Sequence, residues 1–144
     1  MITYLMMTTH IRRLVKKLLE SQESEWLEFK ENNYEHERIG KNISAISNSV
    51  ALLERDKGYI LWGLDNINKI FVGTDFQPRY YKIGNEELES WLLRLLNPRV
   101  DFKIYEEIID EKKIVLFEIK PSTHQPTNFK NIEYIRIGSY TKKL

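Results

Sequence analysis

Apolar residues Ile11, Leu14, Val15, Leu18 and Leu19 recur at i, i+3, i+4, i+7 and i+8, the period of an amphipathic helix, with Thr8 or Thr9 placed to cap it. Residues 1–7 ahead of it are expected to be disordered. From Trp26 to Lys30 the pattern switches to alternation, predicting a half-buried strand with Leu27 and Phe29 on one face and Trp26, Glu28 and Lys30 on the other. Ile39, Ile43, Ile46 and Val50 form one stripe of a second helix. Gly58 opens the near-continuous apolar run YILWGL, which suits a central strand, and turn residues Asp65 to Lys69 lead back into IFVG as a hairpin. Asn85 can cap a third helix that buries Leu88, Trp91, Leu92, Leu95 and Leu96 and ends before Pro98. The alternating runs VDFKIYEEI and KIVLFEIK predict a second hairpin around Asp110 to Lys112, Pro121 to Phe129 a loop, and IEYIRIG the last strand.

The order α, β, α, β, β, α, β, β, β predicts one α/β (α+β) domain over residues 1–144, a mixed sheet with about three helices packed against it. A chain of 144 residues that is 42% hydrophobic and 30% charged can close one ordinary core. Its net charge of +1 supplies no global field, so a polyanionic partner would need a local basic patch. The absence of cysteine removes disulfides, thiolate nucleophiles and Cys-ligated zinc. No apolar run reaches membrane-spanning length and the start MITYLMM lacks a signal-peptide pattern, so the expectation is a soluble cytoplasmic protein with no membrane partner.

No nucleotide-binding loop and no nucleophile elbow occurs, and His10, His36 and His124 fit no spaced metal motif. Carboxylates remain. In ESEWLEFK, Glu23 and Glu28 can converge only if the chain turns between them, which Ser21, Gln22 and Ser24 permit by weakening the helix. Asp65 completes a trio if its strand runs parallel to that of Glu28. Three clustered carboxylates need raised pKa values or a bound cation, and hard oxygen ligands suit magnesium or manganese, which could activate water against a phosphodiester. The plainer alternative is that these acids form ordinary salt bridges, as with Lys30 and Arg136. Arg12, Arg13, Lys16 and Lys17 lie opposite the apolar stripe of the first helix, either as a phosphate-tracking ridge or as a solvated face. Tyr34, Tyr80 and Tyr81 could stack on bases or cover the core.

Glu23 with Glu28-Phe29-Lys30, the helix segment Ser44-Ala45 with Asn48, the strand end Gly63-Leu64-Asp65-Asn66, and Arg136 with Gly138-Ser139 together form a pattern that resembles the Schlafen-type AlbA domain. This resemblance covers nearly the whole chain after the first helix. It implies a DNA- or RNA-binding domain of a bacterial transcriptional regulator. Lys30 and Arg136, which sit in its motifs, and Lys142 and Lys143 near them are candidate contacts, beside Arg12, Arg13 and Lys16 of the first helix. The nuclease members of the family imply an alternative: a magnesium- or manganese-dependent endoribonuclease with Glu23, Glu28 and Asp65 as catalytic metal ligands. A third reading is a non-catalytic dimerisation or interaction module, with a homodimer as partner. Two departures stand out: Asn66 occupies a position that is commonly acidic, and Asp56-Lys57-Gly58 replaces a paired glycine. Relatives commonly continue past the Arg136-Ile137-Gly138 region, so the resemblance implies the N-terminal part of a longer protein.

Overall fold

The computed structural model describes residues 3–144. Along the chain lie α1 (Tyr4–Leu19), β1 (Leu27–Lys30), α2 (His36–Leu52), β2 (Gly58–Trp62), β3 (Leu64–Asp65), β4 (Ile70–Phe71), β5 (Lys82–Ile83), β6 (Glu86–Glu87), α3 (Leu88–Leu95), β7 (Leu96–Asn97), β8 (Phe102–Ile109), β9 (Lys112–Ile119), β10 (Asn128–Phe129), β11 (Ile132–Ile137) and β12 (Tyr140–Lys143). The α+β class and three helices agree with the pattern. The expected mixed sheet is present as β1-β2-β9-β8; beside it stand a second four-stranded sheet, β12-β11-β10-β7, and the separate hairpins β3-β4 and β5-β6.

In the first sheet β1 runs parallel to β2, with Glu28 opposite Ile60, while β2-β9 and β9-β8 are antiparallel. Central strands β2 and β9 are buried on both faces, which explains their continuous apolar runs. Tyr59, Leu61, Ile114 and Leu116 join Leu27 and Phe29 of β1 against Ile11, Val15 and Leu18 of α1. Ile60, Trp62, Val115, Phe117 and Ile119 face the opposite way, into a core shared with Ile39, Ile43, Ile46 and Val50 of α2 and Trp91 and Leu92 of α3. Alternation on β1 therefore turns Glu28 and Lys30 toward the α2 layer and away from α1.

Helix α2 lies between this sheet and the second one, and it is buried almost all round from Ile39 to Val50. Its polar residues satisfy backbone groups of the second sheet's approach. Ser44 Oγ donates to Thr127 O at 3.0 Å, Asn48 Nδ2 donates to Thr127 O and Tyr134 O at 3.0 and 2.8 Å, and Asn48 Oδ1 accepts from the Thr127 N–H at 2.8 Å. Ser47 reaches Lys120 O at 2.8 Å. Buried polar groups need such partners, so these residues fix the second sheet in one place on the helix. Gly40 allows the close approach: a Cβ there would sit 2.2 Å from the Phe129 ring.

Four local expectations change. The first helix starts under Thr3, whose hydroxyl accepts from the Met6 N–H, more than a turn ahead of Thr8 or Thr9. Of the leader expected to be disordered, Tyr4 to Met7 form the first helical turn, and residues 1–2 lie outside the described residues. Asn85 does not cap α3, because the chain pairs Lys82 with Glu87 and Ile83 with Glu86 as a hairpin before the helix begins at Leu88. IEYIRIG is not the last strand: β12 folds back on it, with Arg136 opposite Thr141 and Tyr134 opposite Lys143. No helix among the described residues is long and apolar enough to cross a membrane.

Candidate functional site

Strand β1 is a sheet edge, and the residues around it exist to occupy its open side. After α1 the chain turns back on itself, with Ser24 and Leu27 bridged. That turn swings the Glu23 side chain over the strand, where its Oε2 accepts from the Phe29 N–H at 2.9 Å and its Oε1 accepts from Asn66 Nδ2 at 3.1 Å. Burial holds the Glu23 carboxyl above its ordinary value, the Phe29 N–H pulls the other way, and the charge of nearby Glu28 adds to the rise.

Glu28, only 8% exposed, pairs with Lys30 Nζ at 3.1 Å through Oε1 and with Arg136 NH2 at 2.7 Å through Oε2. Arg136 is 4% exposed. Its Nε and NH2 donate to Ser24 O at 3.3 and 3.0 Å, NH2 also to Leu27 O at 3.3 Å, and NH1 to Thr141 Oγ1 at 3.3 Å. A buried guanidinium is tolerated only when its donors are matched in this way. Beside it the Gly138 N–H donates to Glu25 Oε2 at 2.8 Å.

The structure thus brings Glu23 and Glu28 together and leaves Asp65 apart. The Asp65 carboxylate accepts from the Ile67 and Asn68 N–H groups at 2.9 and 3.2 Å and from Asn68 Nδ2 at 2.8 Å, closing the β3-β4 turn. The Asn68 side chain and these amides lower its pKa. Asn66 takes the place beside Glu23 and presents an amide donor. Among the described residues no three His, Asp or Glu side chains are grouped to hold a metal ion. The expected three-carboxylate magnesium or manganese site therefore does not fit the residues as arranged: one acid is matched by two cations, one closes its own turn, and an NH2 group stands where a third oxygen would be needed.

The basic candidates separate by layer. Arg12, Arg13 and Lys16 are exposed on α1, the layer across the first sheet from Glu28 and Lys30. Lys142 alternates with Thr141 and Lys143 on β12, so it faces away from α2. Lys30, Arg136 and Lys143 do converge. With Arg38 and Lys41 of α2 they line a cleft of about 500 Å³, walled by α2 on one side and the β11-β12 hairpin on the other. It contains five basic residues and one acidic residue, Glu28. Arg38, Lys41 and Lys143 have no carboxylate at ion-pair distance among the described residues, so their charge is available. Arg38 and Lys41 escaped the sequence pattern because α2 read only as a buried apolar stripe, although their i, i+3 spacing puts them on one helix face. Of the tyrosines, Tyr34 stacks on Phe76 at 4.7 Å and Tyr81 packs edge-on against Tyr34, so both cover the core, while Tyr80 is exposed.

Two sheets stitched by one buried helix, with a cationic cleft at their junction, define a small α+β domain. Residues 23–144 match the model of the family described as Schlafen, AlbA_2. The chain belongs to that family. No curated protein matches it in sequence. Among solved structures it is similar to the N-terminal domain of a Nitrosomonas europaea protein whose name relates it to the ATP-dependent DNA helicase RecG, with a TM-score of 0.53 and 22% identity over 89% of this chain and 88% of that one. It is also similar to a Corynebacterium diphtheriae protein, with a TM-score of 0.55 and 9% identity over 94% of this chain. The chain spans 26% of the length of that second protein.

Proposed function

We propose that the domain binds nucleic acid, gripping the sugar-phosphate backbone in the cleft between α2 and the β11-β12 hairpin. The observation that carries this reading is the charge of the cleft: five cations against one carboxylate in a chain whose net charge is only +1. Phosphate contacts position a strand without reading its sequence, and long basic side chains around a recess suit that task. Lys30, Arg38, Lys41 and Lys143 would supply the contacts. Family membership supports the same reading, as does the name of the Nitrosomonas europaea relative, and both are compatible with a module of a bacterial transcriptional regulator acting on DNA or RNA.

The test is binding of fluorescent RNA and DNA oligomers across a salt series. Four phosphate contacts predict that affinity falls roughly 50- to 150-fold between about 50 and 200 mM monovalent salt. No binding at the low-salt end removes the proposal.

A further inference from the structure

The cleft's far wall is a hairpin whose outer strand, β12, has four residues and, among the described residues, pairs with no strand but β11. Such a strand needs fastening if Lys143 is to hold a fixed place. The fastening crosses the cleft floor as a continuous line of polar contacts. Glu28 on β1 meets Arg136 on β11 at 2.7 Å, Arg136 NH1 donates to Thr141 Oγ1 on β12 at 3.3 Å, and Thr141 Oγ1 donates to Asn42 Oδ1 on α2 at 2.7 Å. Every member stands next to a cation of the cleft. Lys30 follows Glu28 by two residues, Lys143 follows Thr141 by two, and Arg38 and Lys41 lie within one helical turn of Asn42.

Starting from the nucleic-acid reading above, we propose that the relay Glu28–Arg136–Thr141–Asn42 sets the spacing of the cleft's cations, with Arg136 as a positioning residue that does not itself touch phosphate. Its guanidinium is already committed to Ser24 O, Leu27 O, Glu28 and Thr141. A guanidinium has five N–H donors in a fixed fork, so little of it remains to turn toward a ligand. The relay also gives the acids of ESEWLEFK a role that requires no metal: Glu28 holds Arg136, Glu25 holds the hairpin turn at Gly138, and Glu23 closes the edge of β1.

The experiment compares the wild type with Arg136→Lys and Thr141→Val by amide hydrogen exchange and by oligonucleotide binding at low salt. Thr141→Val keeps the side-chain shape while removing the hydroxyl, and it decides the matter if Arg136→Lys does not fold. The expected result is exchange about tenfold faster at the amides of Tyr140 to Lys143, unchanged exchange in β8 and β9, and affinity reduced about tenfold with a shallower salt dependence. Unchanged exchange in β12 overturns the relay. Faster exchange with undiminished affinity overturns its positioning role and leaves a purely structural one. If the wild type itself binds no oligomer, the nucleic-acid reading fails and the positioning role with it, and the exchange data alone then report whether the contacts hold the hairpin.

Discussion

Asn66, not Asp65, reaches the Glu23 carboxylate, with its Nδ2 donating to Glu23 Oε1 at 3.1 Å. One residue's difference in sequence decides whether an amide or an acid stands there. Replacing that donor with a carboxylate, in Asn66→Asp, would set two acids side by side, with Lys69, already 2.8 Å from the Asn66 Oδ1, offsetting part of the repulsion. A hard divalent ion can be held through one or two carboxylates. Asn66→Asp is therefore expected to melt below the wild type in EDTA and to regain stability in manganese, while the wild type responds little. A melting scan with and without the ion checks this, and a variant indifferent to manganese would refute it.

The layering of the basic residues gives a second prediction. Charge reversal of Arg38 and Lys41 places two anions at the cleft and should lower oligonucleotide affinity by more than about tenfold at low salt. Reversal of Arg12 and Arg13 on α1, across the sheet, should cost much less. Titrations at matched ionic strength measure both, and equal losses would mean that general charge outweighs the cleft.

Glu23 predicts a pH dependence of folding. Its folded pKa is raised above its ordinary value of 4.5, by burial foremost and then by Glu28, against the pull of the Phe29 N–H. A carboxyl with a raised folded pKa favours the folded state fully below its unfolded value and loses that contribution as pH rises through the folded value. As pH is lowered toward 4.5, the wild type should therefore gain stability relative to Glu23→Gln, which has no proton to take up. Urea unfolding at a series of pH values tests the slope of this difference, and parallel profiles would contradict it.

Gly40 predicts a stability effect that arises from packing. A methyl group there would meet the Phe129 ring at 2.2 Å, far inside contact distance, and α2 cannot back away without breaking its bonds to Thr127 and Tyr134. Gly40→Ala, normally favourable in a helix, should here cost about 1–3 kcal/mol through overpacking. Denaturant unfolding reads this directly; a neutral or stabilised variant would show that the two elements can part freely.

The pattern of apolar positions made the three helices and the longer strands legible because each has a periodic face against a core: Ile11 to Leu18, Ile39 to Val50, Leu27 with Phe29. It left the second sheet obscure, since β7 and β10 are two residues each and carry no period. It also hid β12, because YTKK has a single apolar residue, the exposed Tyr140, and is held by backbone pairing and Thr141. In the site, the turn between Glu23 and Glu28 was readable from the weak helix formers around it, and the structure does bring those two together. The position of Asp65 was not readable, because Asp65 prefers the amides of its own turn, a local choice that competes with any long-range cluster. Arg136 read as a phosphate contact from its place before Gly138; its burial was not readable, because it depends on Ser24 and Leu27, more than a hundred residues earlier in the chain.

The same capping acids bear on how this domain could associate. An open strand edge invites a neighbouring chain to zip onto it, a common route to unwanted fibres and to strand-exchanged dimers. With the Phe29 N–H taken by Glu23 and the Leu27 carbonyl shared between Ser24 and Arg136, β1 has little left to lend. Any extension of the first sheet by a foreign strand must come at β8, at the opposite margin.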